Sequence, residues 1–154
     1  MALISAVKPH HLGISVPDIE EAIAFWSDIF GFRLERRASI DAIPGKVAFL
    51  EHDGFRIELW EVDGANPVPE SRKEPDSDLR TNGTKHLAFQ VPYVQAVLEE
   101  LVKKGVDIAA VQRDFTQPMV HEENPSMSAD QSRKPAVAAF IRDPAGTLIE
   151  LITP

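Results

Sequence analysis

The chain has 154 residues, no cysteine and a formal net charge of −8. That length suits one ordinary domain of about 100–200 residues, with a core large enough to fold without disulfide or structural metal. The missing thiols exclude a disulfide framework, a thiolate metal site and a cysteine nucleophile. The acidic balance, with basic residues only in short pairs such as Arg36-Arg37 and Lys103-Lys104, argues against a nucleic-acid partner.

No run approaches the ~20 apolar residues of a membrane span, and Met1 to Pro9 lacks the basic flank and apolar stretch of a signal peptide. The expectation is a cytoplasmic protein with no membrane partner. The first element is His11-Leu-Gly-Ile-Ser-Val-Pro17. Its alternation predicts a strand with Leu12, Ile14 and Val16 on one face and His11, Gly13 and Ser15 on the other. A helix follows, because Ile19, Ala22, Ile23, Trp26, Ile29 and Phe30 make one apolar stripe. Asp18 is placed as its N-cap, Glu21 three residues on resembles a capping box, and Gly31 suits the stop. A strand is expected near 33–38. Ala48 to Leu59 then reads as strand, Gly-containing turn and strand, a hairpin. In its last strand Ile57 and Leu59 face one way, and Arg56, Glu58 and Trp60 the other.

The same series recurs. His86-Leu-Ala-Phe-Gln-Val-Pro92 repeats the opening strand. Val94, Val97, Leu98, Leu101 and Val102 make a second helical stripe that Gly105 ends. A strand is expected near 107–111. Ala139 to Leu151 repeats the hairpin, with Ile149 and Leu151 opposed to Leu148, Glu150 and Ile152. The fold class is therefore α+β: two βαβββ modules, residues 8–62 and 84–154, in a single domain spanning 1–154. They are expected to form a curved, partly open barrel around a metal cavity. A linker at 63–83 carries three prolines. An insertion at 112–134 lengthens the second module; loops of that length are either functional lids or disordered, and both readings stay open.

Each module thus puts one histidine on its first strand and one glutamate on its last, all four away from the helix-packed face. Two imidazoles and two carboxylates suit one divalent ion, with Zn, Ni, Co, Mn and Fe all open, and the two carboxylates balance its charge. The predicted metal ligands are His11, Glu58, His86 and Glu150. A lone strand histidine is ordinarily structural, and a glutamate in an Ile-Glu-Leu strand is ordinarily solvated. The recurrence of both at equivalent points sets these four apart.

At these residues the sequence resembles the vicinal-oxygen-chelate superfamily, over nearly the whole chain. The likeness rests on His11-Leu-Gly-Ile-Ser-Val with Phe30-Gly31-Phe32, on His86-Leu-Ala-Phe-Gln-Val, and on Asp143-Pro-Ala-Gly-Thr-Leu-Ile-Glu150-Leu. In glyoxalase I and methylmalonyl-CoA epimerase, members with this layout, the matching positions bind the metal. The resemblance implies a metal-dependent lyase or isomerase that shifts a proton beside a carbonyl of a small metabolite through a metal-bound enediolate. Glu150 or Glu58 is then the base. The alternatives are an Fe(II) extradiol-type dioxygenase, in which Glu58 does not ligate, and a non-catalytic binding protein of the same fold. Asp41 is the acid nearest the place where the epimerase carries a further catalytic Glu. Substrate-contact candidates are Trp60, Arg56, as a steering charge for an anion, and His121 on the insertion, with Glu122 and Glu123 beside it. His10 and His52 read as surface residues. Homodimers occur in the superfamily, and one is expected here.

Overall fold

A computed structural model describes residues 7–40 and 42–154. Met1 to Ala6, part of the start read as lacking a signal peptide, and Asp41 lie outside the described residues. Two units divide the chain, residues 1–67 and 68–154. In both, an alternating first strand leads through an amphipathic helix into three antiparallel strands, the last of which pairs back on the first.

The first unit contains β1 (His11–Ser15), α1 (Ile19–Phe30), β2 (Arg33–Ile40), β3 (Ile43–His52) and β4 (Phe55–Val62) in the sheet order β1-β4-β3-β2. β1 runs parallel to β4, and the other pairs are antiparallel. Asp18 caps α1 as expected, its Oδ1 accepting from the backbone N–H of Glu20 and Glu21 at 2.9 and 3.0 Å. A third free N–H at this end, that of Ile19, is satisfied from the sheet by Glu61 Oε2 on β4 at 2.8 Å. Gly31 ends the helix at φ 72°, the left-handed turn that a side chain would strain. The helix lies across β2, β3 and β4. Ile19, Ala22 and Trp26 have no solvent exposure, nor have Ala48, Leu50, Ile57 and Leu59 of the sheet. Each large apolar side chain buried this way contributes roughly 1.5–3 kcal/mol. The Asp53-Gly54 turn between β3 and β4 has φ 48° and 80°, the primed turn that a two-residue hairpin requires. β2 is exposed along its whole length, and Arg33, Glu35, Arg36 and Arg37 give it the charges that discourage edge-to-edge pairing.

The second unit repeats the plan with β5 (Leu87–Gln90), α3 (Val94–Lys103), β6 (Ile108–Gln112), β7 (Ala138–Arg142) and β8 (Leu148–Ile152), ordered β5-β8-β7-β6. Again the first and last strands are parallel. The fold is α+β, with two open four-stranded mixed sheets. Among the described residues no helix is long and apolar enough to cross a membrane.

Two stretches carry structure that periodicity did not announce. The linker holds a 3-10 turn (Glu70–Arg72) and one helical turn, α2 (Pro75–Asp78). Asp78, 2% exposed, is paired with Arg72 at 2.9 Å. Arg142 of β7 fastens this stretch to the sheet by donating to Lys73 O and pairing with Glu74 and Asp107. The 112–134 insertion is held by Arg113. That guanidinium pairs with both oxygens of Glu122 at 2.8 Å and donates to Gln95 Oε1, Pro125 O and Lys134 O. Glu122 also meets Arg133 at 3.0 Å, and its carboxyl is held below the usual range by the Arg113 hydrogen bonds. Glu99 of α3 completes the anchorage, accepting from Ser126 Oγ and Met127 N.

The turn that joins β7 to β8 depends on Asp143. Its Oδ1 accepts from the N–H of Ala145 at 2.9 Å and of Thr147 at 2.7 Å, and the residue is 4% exposed. Oδ2 has no hydrogen-bond partner among the described residues. Burial raises the carboxyl above its ordinary value against the pull of these N–H groups. A raised carboxyl favours the protonated folded state, so its contribution to stability falls as pH rises from the ordinary Asp value through the raised one. Asp143→Asn, which keeps the acceptor without the charge, should therefore gain on the natural chain across that interval. Asp143→Ala, which strands two buried N–H groups, should lose about 1–3 kcal/mol. Urea unfolding of the three proteins at about pH 4 and about pH 7 checks both signs.

Candidate metal centre

The first half of the site is built by the parallel pairing of β1 with β4. His11 stands opposite Arg56 and Gly13 opposite Glu58, so the histidine and the glutamate share a face two register steps apart. Their side chains meet, with His11 Nε2 3.2 Å from Glu58 Oε2. The face is the one away from α1, because Ile57 and Leu59 take the helix side. A Cβ at Gly13 would come to 3.7 Å from Glu58 Oε2, an ordinary contact; a small residue fits there, and a large one would push the carboxylate aside. On the other side Glu58 pairs with Phe49 of β3. The Phe49 ring stands edge-on to His11, centroids 5.8 Å apart at 87°.

The second unit reproduces the arrangement residue for residue. His86 precedes β5, Ala88 stands opposite Glu150, and His86 Nε2 lies 3.1 Å from Glu150 Oε2. Glu150 pairs with Phe140 of β7, whose ring is edge-on to His86 at 4.9 Å and 80°. Exposure matches too. The histidine side chains are 36% and 31% exposed and the glutamates 16% and 18%. Within each unit the donors come as a pair, and among the described residues no group of three or more His, Asp or Glu is placed to hold a metal ion.

A surface His–Glu contact can form for its own sake, but such pairs contribute only about 0–1 kcal/mol. The repeated plan carries the same pair into both units, and its geometry can be set against that of two ligands on one ion. Donors bound about 2.1 Å from one ion and at 90–110° to each other are about 3.0–3.4 Å apart, and both Nε2–Oε2 separations fall in that window. The imidazole and carboxylate chemistry fits a divalent transition ion equally well.

Beside the first pair lies a groove of about 360 Å³ lined by His10, Glu35, Arg36, Phe49 and Arg56. Arg56 is not a free charge. Its guanidinium makes a two-pronged pair with Glu35 at 2.8 and 2.9 Å, which holds the Glu35 carboxyl below its usual range. Of the arginines on β2, Arg33 pairs with Glu51 and Arg37 with Glu20. Arg36 instead lies 4.1 Å above the Phe49 ring, with no carboxylate partner among the described residues. It reaches this face through a bulge: the register jumps from Leu34↔Leu50 to Arg36↔Phe49, leaving Glu35 as the extra residue. Trp60 is half-buried and shares the Glu58 face, opposite Ser15 and Val47.

Beside the second pair, Phe140 and Leu148 pack with Ala109 and with Met119 from the insertion. A bridge between Val111 and Val120 ties the insertion to the β6 edge. His121 follows directly, its Nδ1 3.3 Å from Ala109 O. Glu122 is taken up by the two arginines described above, and Glu123 is exposed.

Four neighbours of the pairs escape a reading by strand alternation. Phe49 and Phe140 do carry a signal, since they hold equivalent places in Ala48-Phe-Leu and Ala139-Phe-Ile. Arg36 carries none, because the bulge that turns it inward is not written in the period. His10 is exposed, as a surface residue should be, yet its Nδ1 is 2.8 Å from His11 Nδ1.

Comparison with known proteins agrees with this plan. Human mitochondrial methylmalonyl-CoA epimerase is 23% identical over 146 residues, which span 92% of this chain and 71% of that protein. A glyoxalase family protein from Enterococcus faecalis superposes with a TM-score of 0.68 at 20% identity, covering 94% of this chain and 96% of that one. Leishmania major glyoxalase I gives 0.64 at 20% identity, covering 96% and 87%; at these identities the structural likeness is one of fold. The family model of the Glyoxalase/Bleomycin resistance protein/Dioxygenase superfamily matches residues 10–119, well over half of the sequence, and the chain belongs to that superfamily.

Proposed function

We propose that this chain is a metal-dependent isomerase or lyase that moves a proton on the carbon beside a carbonyl of a small metabolite. The carrying observation is the duplicated His–Glu pair, 3.2 Å in one unit and 3.1 Å in the other. In this reading one divalent ion takes His11, Glu58, His86 and Glu150, and the protein works as a homodimer. Bound in that donor set, the ion supplies Lewis-acid stabilisation of the negative charge that develops on oxygen when the neighbouring carbon loses its proton.

The protein's own groups do the rest. Glu150 takes the proton and returns it, with Glu58 as its counterpart in the other pair. Phe49 and Phe140 hold the two imidazole planes from one side. Trp60, on the Glu58 face, offers a flat apolar wall to the substrate, and His121, held near Ala109 O, is the insertion's candidate for a substrate contact. The four side chains would hold the ion and leave it able to accept substrate oxygen, which would supply the Lewis-acid chemistry. A ring-cleaving dioxygenase with three protein ligands is less well supported, because Glu58 stands as close to its histidine as Glu150 does.

The epimerase relative supports acyl-CoA thioesters as one arm of a substrate screen, and the glyoxalase likeness supports 2-oxoaldehyde–thiol adducts as the other; 2-oxo and 2-hydroxy acids complete it. An anionic group on such a substrate would meet Arg36 rather than Arg56, whose charge Glu35 already balances.

Two results test these assignments. Metal analysis should find one divalent ion per chain, and Glu150→Gln should lower kcat by at least about 100-fold while leaving the circular dichroism spectrum unchanged. Full turnover in that variant, or a purified protein that takes up no divalent ion, would overturn the proposal. Arg36→Ala should raise KM for a carboxylate- or phosphate-bearing substrate by about tenfold with kcat nearly unchanged, the mark of binding that is equal in ground and transition states. Arg56→Ala should change KM less; an equal effect would return the anion to Arg56.

A further inference from the structure

Both pairs share the His–Glu–Phe arrangement, but only the first has a second imidazole. We infer that His10 is a positioning residue: it holds the His11 ring through Nδ1 and so keeps Nε2 turned to Glu58 and free to ligate. The inference rests on the metal reading for its purpose, although its geometry stands apart from it.

Consecutive residues of a strand point to opposite faces, so a histidine one place before His11 should look away from it. His10 escapes that rule because β1 begins at His11, and the preceding residue is free of the ladder. Its ring comes round edge-on to His11, with centroids 5.1 Å apart at 83° and the two Nδ1 atoms at 2.8 Å. That separation is a hydrogen bond and requires one hydrogen between the two nitrogens. A neutral imidazole carries a single ring hydrogen. For His11 Nε2 to offer its lone pair to an ion, that hydrogen must sit on Nδ1. His10 then accepts it, keeping its own hydrogen on Nε2. His11 is thereby fixed from two sides, by His10 at Nδ1 and by the Phe49 ring edge. A hydrogen bond to the far nitrogen of a ligating histidine orients the ring and strengthens it as a donor.

The second unit lacks this device. The residue before His86 is Lys85, whose ammonium is spent on the Asp78 and Thr81 carbonyls and the Asp78 carboxylate. His86 is therefore a built-in control.

The test uses the full-length protein labelled with 15N at histidine. In the metal-free protein, coupling between the His10 and His11 Nδ1 nuclei across the hydrogen bond should be visible. With zinc bound, the His11 Nδ1 hydrogen should be protected from exchange. His10→Ala should abolish both signals, leave the His86 resonances in place and weaken zinc binding by about 10–100-fold. His10→Asn, whose Oδ1 can accept the same hydrogen, should restore the protected hydrogen and most of the affinity. His10 is exposed, so neither variant should fail to fold. Absence of the coupling, or unchanged His11 shifts and zinc affinity in His10→Ala, would overturn the inference. If the protein binds no zinc but the coupling is present, the metal reading fails and the His10–His11 contact stands as structural alone.

Discussion

Everything that resembles a site in this protein depends on the parallel pairing of the first and last strands of each unit. These strands come from opposite ends of a βαβββ segment, so their pairing closes the unit on itself and fixes which residues of its two ends become neighbours. Alternation then does the sorting. The helix must cover one face, and the apolar sets Ile57/Leu59 and Ile149/Leu151 decide which. The histidine and the glutamate are left together on the other. A slip of one residue would exchange the faces and carry Glu58 or Glu150 into the helix-packed layer, where an unpaired carboxylate is costly. Register and chemistry are therefore specified by the same apolar residues.

The size of the residue opposite each glutamate is part of that constraint. Gly13 in one unit and Ala88 in the other leave the carboxylate room to reach its histidine, and Phe49 and Phe140 close the opposite flank. One such pair is a poor site by itself, since two donors leave a divalent ion mostly to water. Under the proposed function the duplication supplies the remedy, because the second copy brings a second pair of the same kind.

Much of this was legible in the sequence because it is periodic or repeated. The two helices, the caps of α1 at Asp18 and Gly31, the hairpin turn at Asp53-Gly54 and the faces of β4 and β8 all follow from local rules. The His–Glu pairs stood out because a pattern that occurs twice is harder to dismiss than one that occurs once. What stayed hidden depends on departures from period or on partners far along the chain. Arg36 reaches the site through a bulge. Arg56 looks like a free strand arginine until Glu35 is found beside it, 21 residues away. The insertion reads as polar loop, yet Arg113 and Glu99 bind it through partners that no spacing connects. The helical turn at Pro75–Asp78 is too short to show a period at all.

The two halves have also diverged, and the differences run in a consistent direction. The first unit keeps an exposed edge strand, an open groove and an arginine over Phe49 that has no carboxylate partner among the described residues. The second places Phe140 and Leu148 under Met119 of an insertion that the first unit lacks. A polar, open surface suits the recognition of a charged group, which must give up little hydration to bind there. Apolar packing beside a carboxylate suits proton transfer, because it limits the water that competes for the proton. Under the proposed function, the polar groove assigns an anionic part of the substrate to Arg36, and the apolar packing of Phe140 and Leu148 favours Glu150 over Glu58 as the proton carrier, the two carboxylates being about equally exposed.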